Sequence, residues 1–155
     1  MLAVTKIGPE SEPLLRNLFE HYAHDMSEWF EFDTQADGSY SFDVSKYCGD
    51  EVFLARCDGA LAGFAIVGAV DGAHDLREFF VLRRFRRRGI GRELAECIWN
   101  AHPGLWVVRV AEANLAAVPF WRKAVQAYAR RDYREEAVFE KGRDWRLLRF
   151  TSGPR

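Results

Sequence analysis

Arginine and glycine crowd one short stretch of the chain, Arg83-Arg84-Phe85-Arg86-Arg87-Arg88-Gly89-Ile90-Gly91-Arg92. It follows an apolar run and opens a helical pattern. Glycines at such a junction let the backbone turn tightly and leave the first helical amides unobstructed. Those amides lack partners inside the helix, and the helix dipole adds partial positive charge. The pattern suits a bound phosphate, with flanking arginines adding forked, charge-assisted bonds. One helix end contributes only about 0.3–2 kcal/mol, so several donors have to converge. A Walker loop is excluded, because Gly91 is followed by Arg92-Glu93. A dinucleotide fingerprint is excluded too, because Leu94 stands at its third glycine. Two plainer readings stand beside the phosphate site: a solvated arginine run at a helix start, and a basic patch for nucleic acid.

Other chemistry-bearing residues are sparser. His21, His24 and Asp25 cluster loosely, but i, i+3 spacing is common on helix faces and no third ligand is evident, so no metal is expected. Cys48, Cys57 and Cys97 are far apart and form no Cys-x-x-Cys pair, so they are expected to be reduced thiols.

The elements that must position these residues follow from periodicity. Leu2–Ile7 reads as a strand, and apolar residues at helical spacing predict a helix over 12–25. Residues 25–51 hold eight acids, one base and six aromatic residues, and are expected to form a short helix plus a structured loop. Val52–Cys57, Leu61–Val70 and Leu76–Leu82 read as an antiparallel meander, with turns at Asp58-Gly59 and Asp71-Gly72. Gly89–Ala101 is expected to be a helix, Leu105–Ala111 a strand and 114–129 a second helix. Arg134–Phe139 and Trp145–Phe150 look like a closing pair around Lys141-Gly142. The order predicts an α+β domain with helices around a mostly antiparallel sheet.

Composition bounds the class. The 155 residues, 48% hydrophobic and 29% charged, suit one globular domain spanning 1–155. No apolar run approaches the roughly 18–20 residues a bilayer requires, so no membrane partner is expected. The stretch Met1–Lys6 lacks the layout of a signal peptide, and a cytoplasmic location is expected. Net charge is −1, but it is a cancellation: residues 1–24 carry −1, residues 25–51 carry −7 and residues 52–155 carry +7. That balance argues against a generally basic nucleic-acid binder, but not against a protein with a local anion site.

A family resemblance emerges from two motifs. Phe79-Phe80-Val81 followed by Arg86-x-x-Gly89-x-Gly91 resembles motif A of the GCN5-related N-acetyltransferases (GNAT). Asn114-x-x-Ala117-x-x-Phe120-Trp121, after the strand 105–111, resembles their motif B. The element order fits from residue 2 to 150, and the longer strings around both motifs resemble a "predicted acetyltransferase" branch. The resemblance implies a mixed, mostly antiparallel sheet of six to seven strands, with splayed central strands and about four flanking helices. It implies acetyl-CoA as co-substrate, no metal, and a small amine or peptide terminus as acceptor. It leaves monomer and homodimer both open.

The same resemblance implies roles by position. The backbone of Phe80, Val81 and Leu82 would pair with the pantetheine arm as an added strand does. Amides of Arg87, Arg88, Gly89, Ile90, Gly91 and Arg92, beside the motif's Arg86, would hold the pyrophosphate. Asn114 would bond the pantetheine arm, or cap the following helix, or both. The Val81 amide would stabilise the oxyanion. Glu78 is the first choice as base, then Asp75 and then Glu112. Each has the alternative of an ion pair with an arginine. Trp121, also on the cofactor side, stands where many members have a tyrosine acid. Indole cannot serve as an acid at neutral pH, and Tyr128 sits two helical turns further on. That departure keeps a second reading open, a catalytically silent acyl-CoA-binding module. The acidic, aromatic segment 25–51 falls where the family builds its acceptor cleft, which favours a cationic amine or else a merely solvated acidic face.

Overall fold

The computed structural model describes residues 1–40 and 42–153. Seven strands form one sheet: β1 (Leu2–Ile7), β2 (Glu51–Cys57), β3 (Ala60–Val70), β4 (Ala73–Val81), β5 (Gly104–Ala111), β6 (Tyr133–Glu140) and β7 (Arg143–Ser152). Their spatial order is β1-β2-β3-β4-β5-β7-β6. Each two-residue turn predicted from the sequence adopts positive φ at both positions: Asp58-Gly59, Asp71-Gly72 and Lys141-Gly142. Such turns match the twist of the flanking strands and so set the hairpin registers.

Three α-helices accompany the sheet: α1 (Glu12–Met26), α2 (Ile90–Ala101) and α3 (Ala117–Ala129). The additional short helix expected within 25–51 is, among the described residues, only a 3-10 turn, Val44–Tyr47. The local reason is side-chain competition with helical bonding. Asp37 accepts from the Ser39 amide and Asp43 from the Ser45 amide, each at 3.0 Å, and such turns displace a regular helix.

The sheet separates two apolar layers. Phe64 and Ile66 of β3 face α1, joining Leu15, Leu18 and Phe19. Their neighbours Ala65 and Val67 face α2 and α3, joining Leu94, Ile98, Trp99 and Val125. Burial on both faces explains why β3 reads as an apolar run instead of alternating. On β4 the register slips between Ile66↔Glu78 and Val67↔Leu76, leaving Arg77 as the extra residue of a bulge. The bulge sends Leu76 into the α2–α3 layer while Glu78 and Phe80 keep to the α1 side.

Only β4 and β5 run parallel, and they pair over just His74–Leu76 with Trp106–Val108. Beyond that point the two strands separate. This is the splay that the family resemblance implies, and it opens the cleft described next.

Candidate active site

The cleft lies where β4 and β5 part and encloses about 260 Å³. Tyr22, Ala23 and Met26 of α1 line it, with Phe30, Phe32 and Phe42 from the loop that follows. Leu76–Phe79 and Val108–Ala111 form its strand walls, while Asn114, Ala117 and Trp121 contribute from the other side of the sheet. Arg143 and Trp145 reach it from β7.

Among the described residues, Glu78 is the only carboxylate in this lining. Both of its oxygens are held. The Tyr22 hydroxyl donates to Oε2 at 2.6 Å and the Tyr47 hydroxyl donates to Oε1 at 2.5 Å. Burial pushes the Glu78 carboxyl up, and the two hydroxyls and the Lys46 charge offset part of that rise. Burial also raises both phenols above their ordinary range, reinforced by the Glu78 charge. The cluster is therefore a buried carboxyl group held by two phenol donors.

The backbone of β4 presents a second set of groups. The Leu82 amide donates to the Ala62 carbonyl at 2.8 Å, so Leu82 faces β3. Antiparallel pairing alternates, so Phe80 also faces β3, while Phe79 and Val81 turn toward the opening. The Val81 carbonyl accepts from Arg86 Nε at 2.7 Å, on that outward side. Of the three residues expected to meet an added strand, only Val81 turns its amide to the opening.

The arginine–glycine junction has the predicted form. Arg87 and Gly89 both take left-handed φ, +58° and +79°. Gly89 caps α2 without any side-chain bond. The first helical bond runs from the Glu93 amide to the Gly89 carbonyl, so the amides of Ile90, Gly91 and Arg92 have no partner inside the helix. A Cβ on Gly91 would lie 3.2 Å from Phe120 Cζ, which makes that glycine a close-approach residue. The junction thus fits a pyrophosphate through its backbone. Its side chains divide: Arg87 and Arg88 are exposed, Arg92 pairs with Glu96, and Arg86 and Arg83 pair with Asp25 at the end of α1.

Other expected residues fall at varied distances from this cleft. Asn114 accepts from the Ala117 amide at 3.1 Å in the turn that leads into α3, while its amide nitrogen points to Met26 Sδ at 3.6 Å. Trp121 is buried against Phe79, ring centroids 4.7 Å apart. Asp75 is buried, its carboxyl pushed up by desolvation, and it lies outside the cleft lining. Glu112 pairs with Arg146 and is also outside. The Tyr128 hydroxyl donates to Asn100 and lines a different hollow. No group of three or more metal-ligating side chains occurs among the described residues.

Sequence reasoning missed Tyr22, Tyr47 and Arg143. The two tyrosines look like apolar positions of a helix face and a loop. The pairs they make with Glu78 span 56 and 31 residues, which no local spacing reveals. Of the two readings of the acidic segment, its carboxylates follow the solvated face: none of the eight lines the cleft, whereas three of its phenylalanines do.

Residues 48–135 match the family model described as "Acetyltransferase (GNAT) domain". No curated protein sequence matches the chain. Among solved structures, the ribosomal-protein-S18-alanine N-acetyltransferase from Escherichia coli is similar over 100% of this chain and 96% of its own, with TM-score 0.65 and 16% identity. A putative acetyltransferase from Salmonella typhimurium, solved with acetyl-CoA, covers 99% of this chain and 95% of its own, with TM-score 0.63 and 13% identity. Spermidine N-acetyltransferase from Vibrio cholerae, in complex with CoA and spermine, covers 97% and 95%, with TM-score 0.65 and 14% identity. At these identities the likeness is one of fold.

Proposed function

The chain belongs to the GNAT acetyltransferase family, and we propose that it moves an acetyl group from acetyl-CoA to the primary amine of a small acceptor. The observation that carries this reading is the single carboxylate of the cleft, Glu78, held by two tyrosines opposite the open edge of β4. Acetyl-CoA supplies the activated acyl group as a thioester. The remaining work falls to the residues of the chain.

The backbone amides of Ile90, Gly91 and Arg92, at the start of α2, would hold the pyrophosphate. The outward Val81 amide donates to the carbonyl oxygen on which charge develops. Asn114 and Trp121 wall the acyl side. An alkyl amine with pKa near 10.4 is protonated at neutral pH, and freeing its lone pair there costs about 4.6 kcal/mol. Glu78 accepts that proton, and its raised pKa makes it a better base than an ordinary glutamate. The Trp121 indole can donate a hydrogen bond but does not ionise at neutral pH, so the departing sulfur takes its proton from solvent. Alignment of both substrates in one cleft contributes about 7–11 kcal/mol toward the barrier. The three free thiols support a reducing, cytoplasmic setting.

The test is CoA release from acetyl-CoA across a broad amine panel, for wild type and for Glu78→Gln. The expected result is release by wild type, a loss of about 10²–10⁴-fold in the variant, and acetyl-CoA binding retained in both. Tight acetyl-CoA binding with no release from any amine would leave only the binding-module reading.

A further inference from the structure

The acids that crowd 25–51 are spent outside the cleft. Asp25 pairs with Arg83 and Arg86, Asp50 with Arg77, and Glu51 with Lys6. Asp37 and Asp43 hold their own turns. Glu28, Glu31 and Asp33 are exposed and do not line the cleft. What enters the lining instead is positive: Arg77, Arg109 and Arg143.

Two of these guanidinium groups are neutralised locally. Arg77 Nε is 3.1 Å from Asp50, and Arg109 Nη1 is 2.9 Å from Glu140. Arg143 differs. Among the described residues no carboxylate pairs with it, and its Cζ sits 4.4 Å from the centroid of the Phe30 ring. Contact with an aromatic face anchors a guanidinium and leaves edge donors free for a bidentate carboxylate. Phe30 continues into Phe32 and Phe42, with successive ring centroids 5.7 and 5.4 Å apart, and Trp145 also lines the cleft. The cleft thus combines a carboxylate, an unpaired cation and an aromatic wall.

Resting on the acetyl-transfer reading above, we propose that the acceptor is an aromatic or large apolar amine that also carries a carboxylate. The carboxylate meets Arg143, the apolar body lies against Phe30, Phe32 and Phe42, and the amine faces Glu78. A polyamine fits this cleft poorly, because it would bring extra positive charge toward Arg143 with one carboxylate to meet it.

The experiment compares phenylalanine, 4-(2-aminoethyl)benzoate, phenethylamine and spermidine as acceptors, by kcat/KM for CoA release. At least one carboxylated amine should exceed phenethylamine and spermidine by about tenfold or more. Arg143→Gln should collapse that preference to within about twofold, and Arg143→Lys should restore only part of it, since lysine lacks the fork. Spermidine or phenethylamine as the best acceptor overturns the inference. So does an equal loss for every amine in Arg143→Gln, which would make Arg143 only a latch for the loop over the cleft. If no amine releases CoA, the acetyl-transfer reading fails. Calorimetry with 4-(2-aminoethyl)benzoate then decides the inference separately: binding to wild type and not to Arg143→Gln sustains it, and no binding to wild type overturns it.

Discussion

Tyr22 on α1 donates its hydroxyl to Glu78 on β4 at 2.6 Å, joining residues 56 positions apart. The bond ties the first helix to the strand that borders the cleft, and it lowers the Glu78 carboxyl against the rise caused by burial. Removing it should let that carboxyl climb further. In Tyr22→Phe the acid limb of the pH–kcat profile should move to higher pH, with activity recovered at more alkaline values. Leaving a buried charge short of a donor also costs about 1–3 kcal/mol of stability. A profile that stays in place while stability falls would make Tyr22 structural only.

Glu78 itself gives a prediction for stability against pH. Its carboxyl is raised by burial, so the fold favours the protonated form. The stability tied to that group is complete below the ordinary glutamate range and is lost as pH rises through the raised value. Glu78→Gln escapes that loss. Thermal melts should show the variant gaining on wild type between about pH 4 and neutrality, even though transfer is impaired. A constant difference across that range would contradict the desolvated carboxylate.

Asp25 clasps both Arg83 and Arg86 from the end of α1, and Arg86 in turn donates to the Val81 carbonyl. The arginines are partly exposed, at 68% and 41%, so each pair is worth only about 0.2–1 kcal/mol. Asp25→Asn should lower Tm by about 2–4 °C per kcal/mol lost, and the deficit should shrink in high salt. Acetyl-CoA affinity should fall as well, because the brace on β4 beside the junction is loosened. Titration calorimetry at two salt concentrations checks both effects.

Gly91 separates stability from binding. An added methyl would sit 3.2 and 3.3 Å from the Phe120 ring, so the ring has to shift. Alanine also improves the helix by about 1 kcal/mol over glycine, which offsets the crowding. Gly91→Ala should therefore melt close to wild type while its Kd for acetyl-CoA rises about tenfold. Unchanged affinity would mean that the space between α2 and Phe120 plays no part in the site.

Much of this protein was legible because its signals are local. The hairpins at Asp58-Gly59, Asp71-Gly72 and Lys141-Gly142 are legible because adjacent residues alone set their φ angles. The junction Arg86–Gly91 is legible because a glycine cap and a helix start are neighbours in the chain. Element order followed from apolar periodicity, and the splayed strands from the family resemblance. By contrast, the Tyr22–Glu78–Tyr47 cluster, the Asp25 clasp and the Arg143–Phe30 contact each join distant segments. Such pairs exist only once strand pairing and burial on both faces of the sheet have placed them. The sequence by itself determined the scaffold and its glycine-capped junction. Tertiary structure decided which carboxylate enters the cleft, because the eight acids of 25–51 found partners or solvent elsewhere while Glu78, on the α1 face beside the β4 bulge, lies among the walls of the opening.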